Sequence, residues 1–363
     1  MNKLKVGVLG ATGMVGQRFV TLLEGHPWFE VVALAASPRS AGKTYKAAVG
    51  GRWSMDQPIP KSVANIKVLA AEKNLPKIAK TVDLVFCAID MDKDEIKQLE
   101  IDYAAAGVPV VSNNSAHRWT KDVPMLLPEI NPDHIKLIDI QRKKRGWNKG
   151  LIAVKPNCSI QSYVSILTAL AEYEPEEVEV TSLQAISGAG KTFKSWPEMV
   201  DNVIPLIPGE EDKSEKEPLK IWGRVGKNGV KLATKPDIEA TCIRVPVTDG
   251  HLANVKVKFG KNLTKAQIIE GITNFKNPIA KLGLPSAPKQ LIHYYEEKDR
   301  PQTALDRDVE NGMGISMGRL RQDKTGNWRF IALSHNTIRG AAGGAILMAE
   351  LLVKKGYITP KNA

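Results

Sequence analysis

Residues 3 to 23 limit the possible folds more than any other stretch. A short apolar run, Lys3-Leu4-Lys5-Val6-Gly7-Val8-Leu9, leads directly into Gly10-Ala11-Thr12-Gly13-Met14-Val15-Gly16. Val15, Phe19, Leu22 and Leu23 then recur at helical spacing. Three glycines at this spacing, between a strand and a helix, suit a dinucleotide-binding turn. They permit a tight bend, close backbone approach to a pyrophosphate and close packing of the helix. Phosphates would lie on the helix N-terminus, where unpaired N–H groups point outward. The bland alternative is a tight turn with no ligand.

The next hundred residues repeat the pattern of strand and helix. Phe29–Ala36, Ile66–Ala70, Asp83–Ala88 and Val108–Ser112 read as strands, and Asp92–Ala106 as a helix closed by Gly107. This alternation predicts an α/β fold with a parallel, doubly wound sheet, its ligand crevice at the carboxyl ends of the strands. Cys87 falls near one such end. After the second strand the chain reads Ser37-Pro38-Arg39-Ser40-Ala41-Gly42-Lys43, with no carboxylate for a ribose hydroxyl. Hydroxyls and cations suit a 2′-phosphate, which favours NADP over NAD. Ser112-Asn113-Asn114-Ser115-Ala116-His117-Arg118 sits at another strand end. There Arg118 reads either as an anion ligand or as a surface arginine. The basic run Gln141-Arg142-Lys143-Lys144-Arg145 reads as a solvated loop, and the domain boundary falls near Gly146 to Gly150.

Beyond it, the apolar run Leu151–Val154 precedes Lys155-Pro156-Asn157-Cys158-Ser159-Ile160. Ile160, Val164, Leu167 and Ala171 then recur at helical spacing, and Pro175 is expected to end that helix. Cys158 is thus expected at a helix N-terminus, where the dipole eases loss of the thiol proton and so generates a nucleophile. Asn157 is placed to donate an amide N–H beside it. The alternative is a buried structural cysteine. A strand over Val178–Ile186 leads into Ser187-Gly188-Ala189-Gly190-Lys191-Thr192. This fails as a P-loop because Ala185 stands where that motif needs glycine, but it could lie along a cofactor. Glu210 and Lys213 share a face of a charged helix, and spacing alone favours a solvated one. His251 follows a turn at Thr248-Asp249-Gly250. Its case is chemical, since a thiolate needs an imidazole partner. Thr337 to Gly344 opens a helix to about Lys355 whose small residues suit packing back onto the nucleotide domain.

Composition narrows the function classes. The 363 residues carry a formal net charge of +12, which suits acidic or phosphorylated ligands. No nucleic-acid module surrounds the basic run, so nucleic acid is not expected as a partner. Three cysteines without a CxxC pair argue against disulfides and a cysteine zinc site, and no other metal is expected. No signal peptide or membrane span is expected, so the reading is a cytoplasmic enzyme.

The motifs, taken together, resemble one family. Gly10 to Gly16, Ser112-Asn113 with Arg118, and Pro156-Asn157-Cys158-Ser159 are similar to aspartate-semialdehyde dehydrogenases of the archaeal and fungal form. So are Gln184 to Gly190, Gly209 to Lys213, Arg244 with Asp249-Gly250-His251, and Ser334-His335-Asn336-Thr337. The resemblance implies a Rossmann-type dinucleotide-binding domain at 1–155, joined by the returning segment 337–363. A catalytic and dimerisation domain at 156–336 would be of the α+β type found in glyceraldehyde-3-phosphate dehydrogenase. Cys158 would be the thioester nucleophile and His251 the acid/base. Arg244 would take the substrate carboxylate and Glu210 its ammonium. Arg118, Asn157 and Lys213 would hold phosphate, and Gln184 would orient the acyl group. NADP would lie along Gly10, Thr12, Gly13, Met14, Val15, Gly16, Ser37, Arg39, Ser40, Cys87, Ser187, Gly188, Ala189, Gly190 and Asn336. A homodimer or homotetramer is implied. Two stretches depart from the family pattern, Asn114 to His117 and Lys191 to Lys194, and both bear on fine substrate contacts. The rival readings are a malonyl-CoA reductase, an acetylglutamyl-phosphate reductase and a nucleotide-binding regulator without catalysis.

Overall fold

The computed structural model describes residues 3–361; the ends of the expected domains at 1–2 and 362–363 lie outside them. Six parallel strands form the first sheet: β1 (Leu4–Leu9), β2 (Phe29–Ala36), β3 (Leu69–Ala70), β4 (Leu84–Cys87), β5 (Pro109–Ser112) and β6 (Leu151–Val154). Their order is β3-β2-β1-β4-β5-β6, so the winding reverses between β1 and β4. That reversal opens a crevice at the strand ends. β4, β5 and β6 are buried along their whole length. This is why they read as unbroken apolar runs, since helices cover both faces of a parallel sheet.

Three expectations change here. The third strand is only Leu69–Ala70, because Lys67 makes an isolated bridge with Thr44 instead. The basic run is not a loop but the last turn of the helix Leu137–Arg145, capped by Gly146 at φ +67°. Its cations face the negative end of the helix dipole, while Gln141 turns inward to bond Asp122 and Ile152. The strand before the cysteine pairs with β5, so the change of sheet comes after Val154 rather than at Gly146–Gly150.

β7 (Pro175–Gln184) opens the second sheet, so Pro175 starts a strand. The preceding helix, Gln161–Ala169, ends earlier. A small hairpin, β8 (Arg224–Gly226) with β9 (Gly229–Lys231), stands apart. The other strands are β10 (Asp237–Arg244), β11 (His251–Phe259), β12 (Ile292–Tyr295), β13 (Ile315–Gln322) and β14 (Trp328–Ser334). The mixed order β10-β7-β11-β14-β13-β12 puts β7 between β10 and β11. Arg244 and His251 therefore do not share a hairpin. They flank the end of β7, where Gln184 sits. Val178, Val180, Val255, Val257 and Phe330 pack one face of this sheet against Tyr163, Ile166 and Leu167 of the helix Gln161–Ala169.

The last segment is a π-turn, Ile338–Ala342, followed by the helix Gly343–Lys354. It is buried nearly all round and joins Val6, Val8, Phe19 and Leu34 in one core. The chain thus returns to the first sheet, passing the end of β6 on its way. Among the described residues no helix is long and apolar enough to cross a membrane.

Candidate active site

Two cavities meet the expected residues. The first, of about 380 Å³, lies at the ends of β1 to β4 and is lined by Gly10, Thr12, Gly13, Ser37 and Arg39. Gly10 has φ +83°, and a Cβ there would stand 2.3 Å from the Ala88 carbonyl oxygen. A Cβ on Gly16 would stand 2.2 Å from the Gly10 oxygen. The turn therefore needs both glycines, one for its bend and one for helix packing. Arg52 and Lys73 also line this cavity, and sequence reasoning missed both, because each comes from a connecting segment without a motif.

Several expected cofactor contacts are not at this cavity. Cys87 is fully buried, its sulfur accepting from Asn114 Nδ2 at 3.3 Å; its successors Ala88 and Ile89 face the cleft instead. Ser40 is turned inward and buried, bonding through its N–H to Ser37. Met14 and Gly16 shape the turn without lining the cavity, and Ala189 and Gly190 are exposed on the far loop.

The second cavity, of about 280 Å³, opens between the two sheets. Cys158, Asn157, Arg118, Gln184, Glu210, Lys213 and Arg244 all line it, together with Val15, Ser187, Gly188 and Asn336. Asn336 Nδ2 donates to Ser187 Oγ at 2.8 Å, and its Oδ1 accepts the Gly250 N–H at 2.8 Å, which ties three loops together. Cys158 Sγ is 3.4 Å from His251 Nε2. A Cβ on Gly188 would approach Arg244 Nη1 to 2.9 Å and His251 Nε2 to 3.0 Å, so a side chain there would press on the two residues that this loop roofs.

The imidazole tautomer follows from one bond. The Ala185 N–H donates to His251 Nδ1 at 3.1 Å. Nδ1 is then the acceptor, and the proton of the neutral ring sits on Nε2, facing the sulfur. Burial, then the Arg244 charge, pushes His251 down to about 3. Burial, then the Glu210 carboxylate, pushes the Cys158 thiol up to about 12, against the pull of Arg118, Arg244 and Lys213. This direction is opposite to the one the helix dipole alone would give. The helix begins only at Gln161, three residues past the cysteine, so its dipole acts at a distance while Glu210 is close.

Glu210 corrects another expectation. Its helix, Glu210–Ile221, is not a solvated one; Glu210, Ser214, Glu217, Lys220 and Ile221 form a buried stripe. Burial works against the Glu210 charge, but Lys213 Nζ at 2.7 Å and Asn157 Nδ2 more than offset it, and its carboxyl lies below the usual range. Arg118 is no surface residue. Its Nη1 bonds Glu217 at 2.8 Å, its Nε bonds the Lys155 oxygen at 3.0 Å and its Nη2 bonds the Asn113 oxygen at 3.3 Å. Arg244 Nη1 donates to the Ala185 oxygen at 2.7 Å, and Gln184 Nε2 to Ser182 Oγ at 3.1 Å. Glu217 and Lys155 went unnoticed in the sequence. The i, i+3, i+4, i+7 stripe on the helix was the available signal for Glu217. Among the described residues no group of three His, Cys, Asp or Glu side chains could hold a metal ion.

The chain is similar to known proteins along nearly its whole length. Residues 5–138 match the model of the semialdehyde dehydrogenase NAD binding domain, and residues 167–339 that of the semialdehyde dehydrogenase dimerisation domain. An aspartate-semialdehyde dehydrogenase of Archaeoglobus fulgidus is 42% identical, covering 98% of this chain and 100% of that one. One of Schizosaccharomyces pombe is 43% identical, covering 98% and 99%. The crystal structure of the Candida albicans enzyme with NADP superposes with a TM-score of 0.87 at 38% identity, covering 98% of this chain and 100% of that one.

Proposed function

This chain belongs to the aspartate-semialdehyde dehydrogenase family, and from that premise we propose how its own residues perform the reaction. It is an NADP-dependent oxidoreductase of amino-acid biosynthesis. In the biosynthetic direction it converts 4-phospho-L-aspartate to L-aspartate 4-semialdehyde. The observation that carries the residue assignment is the Sγ to Nε2 approach of 3.4 Å, with His251 standing behind a cavity that Cys158 lines together with Glu210, Lys213, Arg118 and Arg244.

Arg244 binds the α-carboxylate and Glu210 the ammonium, which leaves the acyl phosphate between Cys158 and the cations Arg118 and Lys213. Gln184 orients the acyl oxygen, while the Asn157 side chain, already bonded to Ser159 and Glu210, fixes Glu210 rather than taking the phosphate itself. Cys158 sulfur attacks the carbonyl carbon, the carbon–oxygen bond to phosphate breaks, and the thiol proton leaves with the phosphate. This gives a thioester and hydrogen phosphate. When bound, NADPH supplies the hydride that reduces the thioester. The glycine turn Gly10 to Gly16 suits its pyrophosphate, and Arg39, Arg52 and Lys73 suit a 2′-phosphate. The carbon–sulfur bond then breaks, releasing the aldehyde; the Nε2–H of His251 stabilises the departing sulfur, which takes up a proton from solvent and so restores the thiol. A preorganised donor of this kind is worth about 3–4 kcal/mol of barrier where one has been removed elsewhere.

The division at 155/156, with residues from 337 onward returning to the first part, is proposed as the functional one. It is supported by the change of sheet after Val154 and by the core shared by the last helix. A homodimer or homotetramer is proposed as well, since the second half matches a dimerisation domain and Val200, Val203 and Leu206 are exposed together. A cytoplasmic setting suits three free cysteines.

The experiment is a phosphorylating assay with aspartate semialdehyde, NADP and phosphate. NADPH formation that needs phosphate and disappears in Cys158→Ala is expected. Turnover with malonyl-CoA alone, or NADP binding without any turnover, would overturn the reading.

A further inference from the structure

Asn157, the residue before the nucleophile, has every polar atom engaged. Its Oδ1 accepts from the Ser159 N–H at 2.7 Å and from Ser159 Oγ at 2.6 Å, while its Nδ2 donates to both oxygens of Glu210. Its carbonyl accepts from Gln161 Nε2 at 2.8 Å, and Gln161 Oε1 accepts in turn from the buried Lys155 Nζ at 2.9 Å. Its N–H donates to Glu217 Oε2 at 2.6 Å. The last bond is the unexpected one, because Glu217 comes from a helix that begins more than fifty residues later.

The other oxygen of that carboxylate, Oε1, accepts from Arg118 Nη1 at 2.8 Å. Glu217 is 1% exposed and Arg118 7%. A carboxylate is buried only where its charge and lone pairs are met. Glu217 meets them with one guanidinium and one peptide N–H, each belonging to a different part of the site. Arg118 has five N–H groups, of which three go to Glu217, Lys155 and Asn113. Two remain for a ligand.

The chemistry gives this bridge a purpose. In an acyl phosphate the phosphorus and the carbonyl carbon are separated by a single bridging oxygen. The group that holds phosphate and the group that attacks carbon must therefore keep a fixed spacing. We propose that Glu217 is a positioning residue that sets this spacing, by holding Arg118 and the Pro156–Asn157 peptide, one residue before the nucleophile, on one carboxylate. The proposal rests on the roles given to Arg118 and Cys158 above. Glu217 touches no reacting atom; it acts through its two partners.

The test is steady-state kinetics in the phosphorylating direction with Glu217→Gln, which keeps the size and loses the charge. Glu217→Asp keeps the charge and withdraws it by one methylene. The unsubstituted protein and Lys216→Ala, on the exposed side of the same helix, serve as references. Rates are taken per Cys158 titrated, so that a smaller folded fraction does not count. Both variants should lose on the order of 10²-fold in kcat. KM for phosphate should rise, while KM for NADP stays within about twofold. A kcat and phosphate KM within about twofold of the reference, in either folded variant, overturns the proposal. So does a loss that vanishes once rates are expressed per titrated cysteine, or failure of both variants to fold, since Glu217 would then be structural only. No turnover in the unsubstituted protein would instead overturn the reading of the site itself.

Discussion

Gly340 forms the back wall of Cys158. A Cβ on Gly340 would stand 2.7 Å from the Cys158 Cβ and 3.1 Å from its Cα. Gly340 lies in the π-turn that carries the chain back to the first sheet, and its N–H is held by the His335 carbonyl at 3.0 Å. The cysteine cannot yield easily either, because Asn157 beside it is fixed at every polar atom. Gly340→Ala must therefore displace the sulfur from His251. The expected cost in stability is about 1–3 kcal/mol, and the expected loss in kcat is on the order of 10²-fold. Thermal unfolding and kinetics on the same preparation check this. A variant with unchanged kcat would show that the wall is not needed.

The neutral state of His251 predicts how stability depends on pH. In an unfolded chain an imidazole binds its proton near 6.5, whereas native His251 binds one only at about 3. Between these values the unfolded state holds more protons. The contribution is full above 6.5 and is lost as pH falls through that window. His335, pushed down by burial to about 4, acts in the same sense, so the test is a difference between proteins. Relative to the unsubstituted protein, His251→Gln should lower the slope of unfolding free energy against pH by about 1.4 kcal/mol per unit across that window. Urea titrations at several pH values measure it. Equal slopes would mean that His251 is already protonated in the native state.

The residues explain why some of this was legible in the sequence. The glycine turn could be read because its spacing is local and each glycine answers a backbone contact. Cys158 could be found because a strand and a helical pattern flank it. The spacing of Glu210 and Lys213 puts them on one face, but which face is buried depends on the second sheet, and no local pattern encodes that. His251 stands out only by its chemistry. Its tautomer depends on an N–H of Ala185, brought to it by the pairing of β7 with β11. The charge balance at Cys158 is hidden for a similar reason, since the Glu210 carboxylate and the burial that act against the helix dipole come from distant parts of the chain.

Alkylation of Cys158 tests that electrostatic balance. With the thiol pushed up to about 12, little thiolate exists near neutral pH. Iodoacetamide should react with it at least about tenfold more slowly than with a free thiol of pKa near 8.5. Glu210 is the largest charge raising the thiol. Glu210→Gln should therefore alkylate faster while turning over more slowly, because it loses the contact proposed for the substrate ammonium. Mass spectrometry locates the label, and Cys158→Ser gives the background from Cys87 and Cys242. Slower alkylation in Glu210→Gln would contradict the charge assignment.

Cofactor preference is expected to depend on more than the turn after β2. Arg39 is exposed at the first cavity, and Arg52 and Lys73 line the same space. Arg52 Nη2 is already bonded to the Ala48 oxygen at 2.7 Å, which fixes its side chain, whereas among the described residues no such bond holds Arg39 or Lys73. A 2′-phosphate carries up to two negative charges and gains most from cations that can close on it. Arg39→Ala should thus raise KM for NADP about tenfold and leave KM for NAD nearly unchanged, with Lys73→Ala acting in the same direction but less strongly. The ratio of the two KM values in each variant is the measurement. If Arg39→Ala leaves that ratio unchanged while Lys73→Ala shifts it, the phosphate is held from the β3 side of the cleft, and the turn after β2 only shapes its mouth.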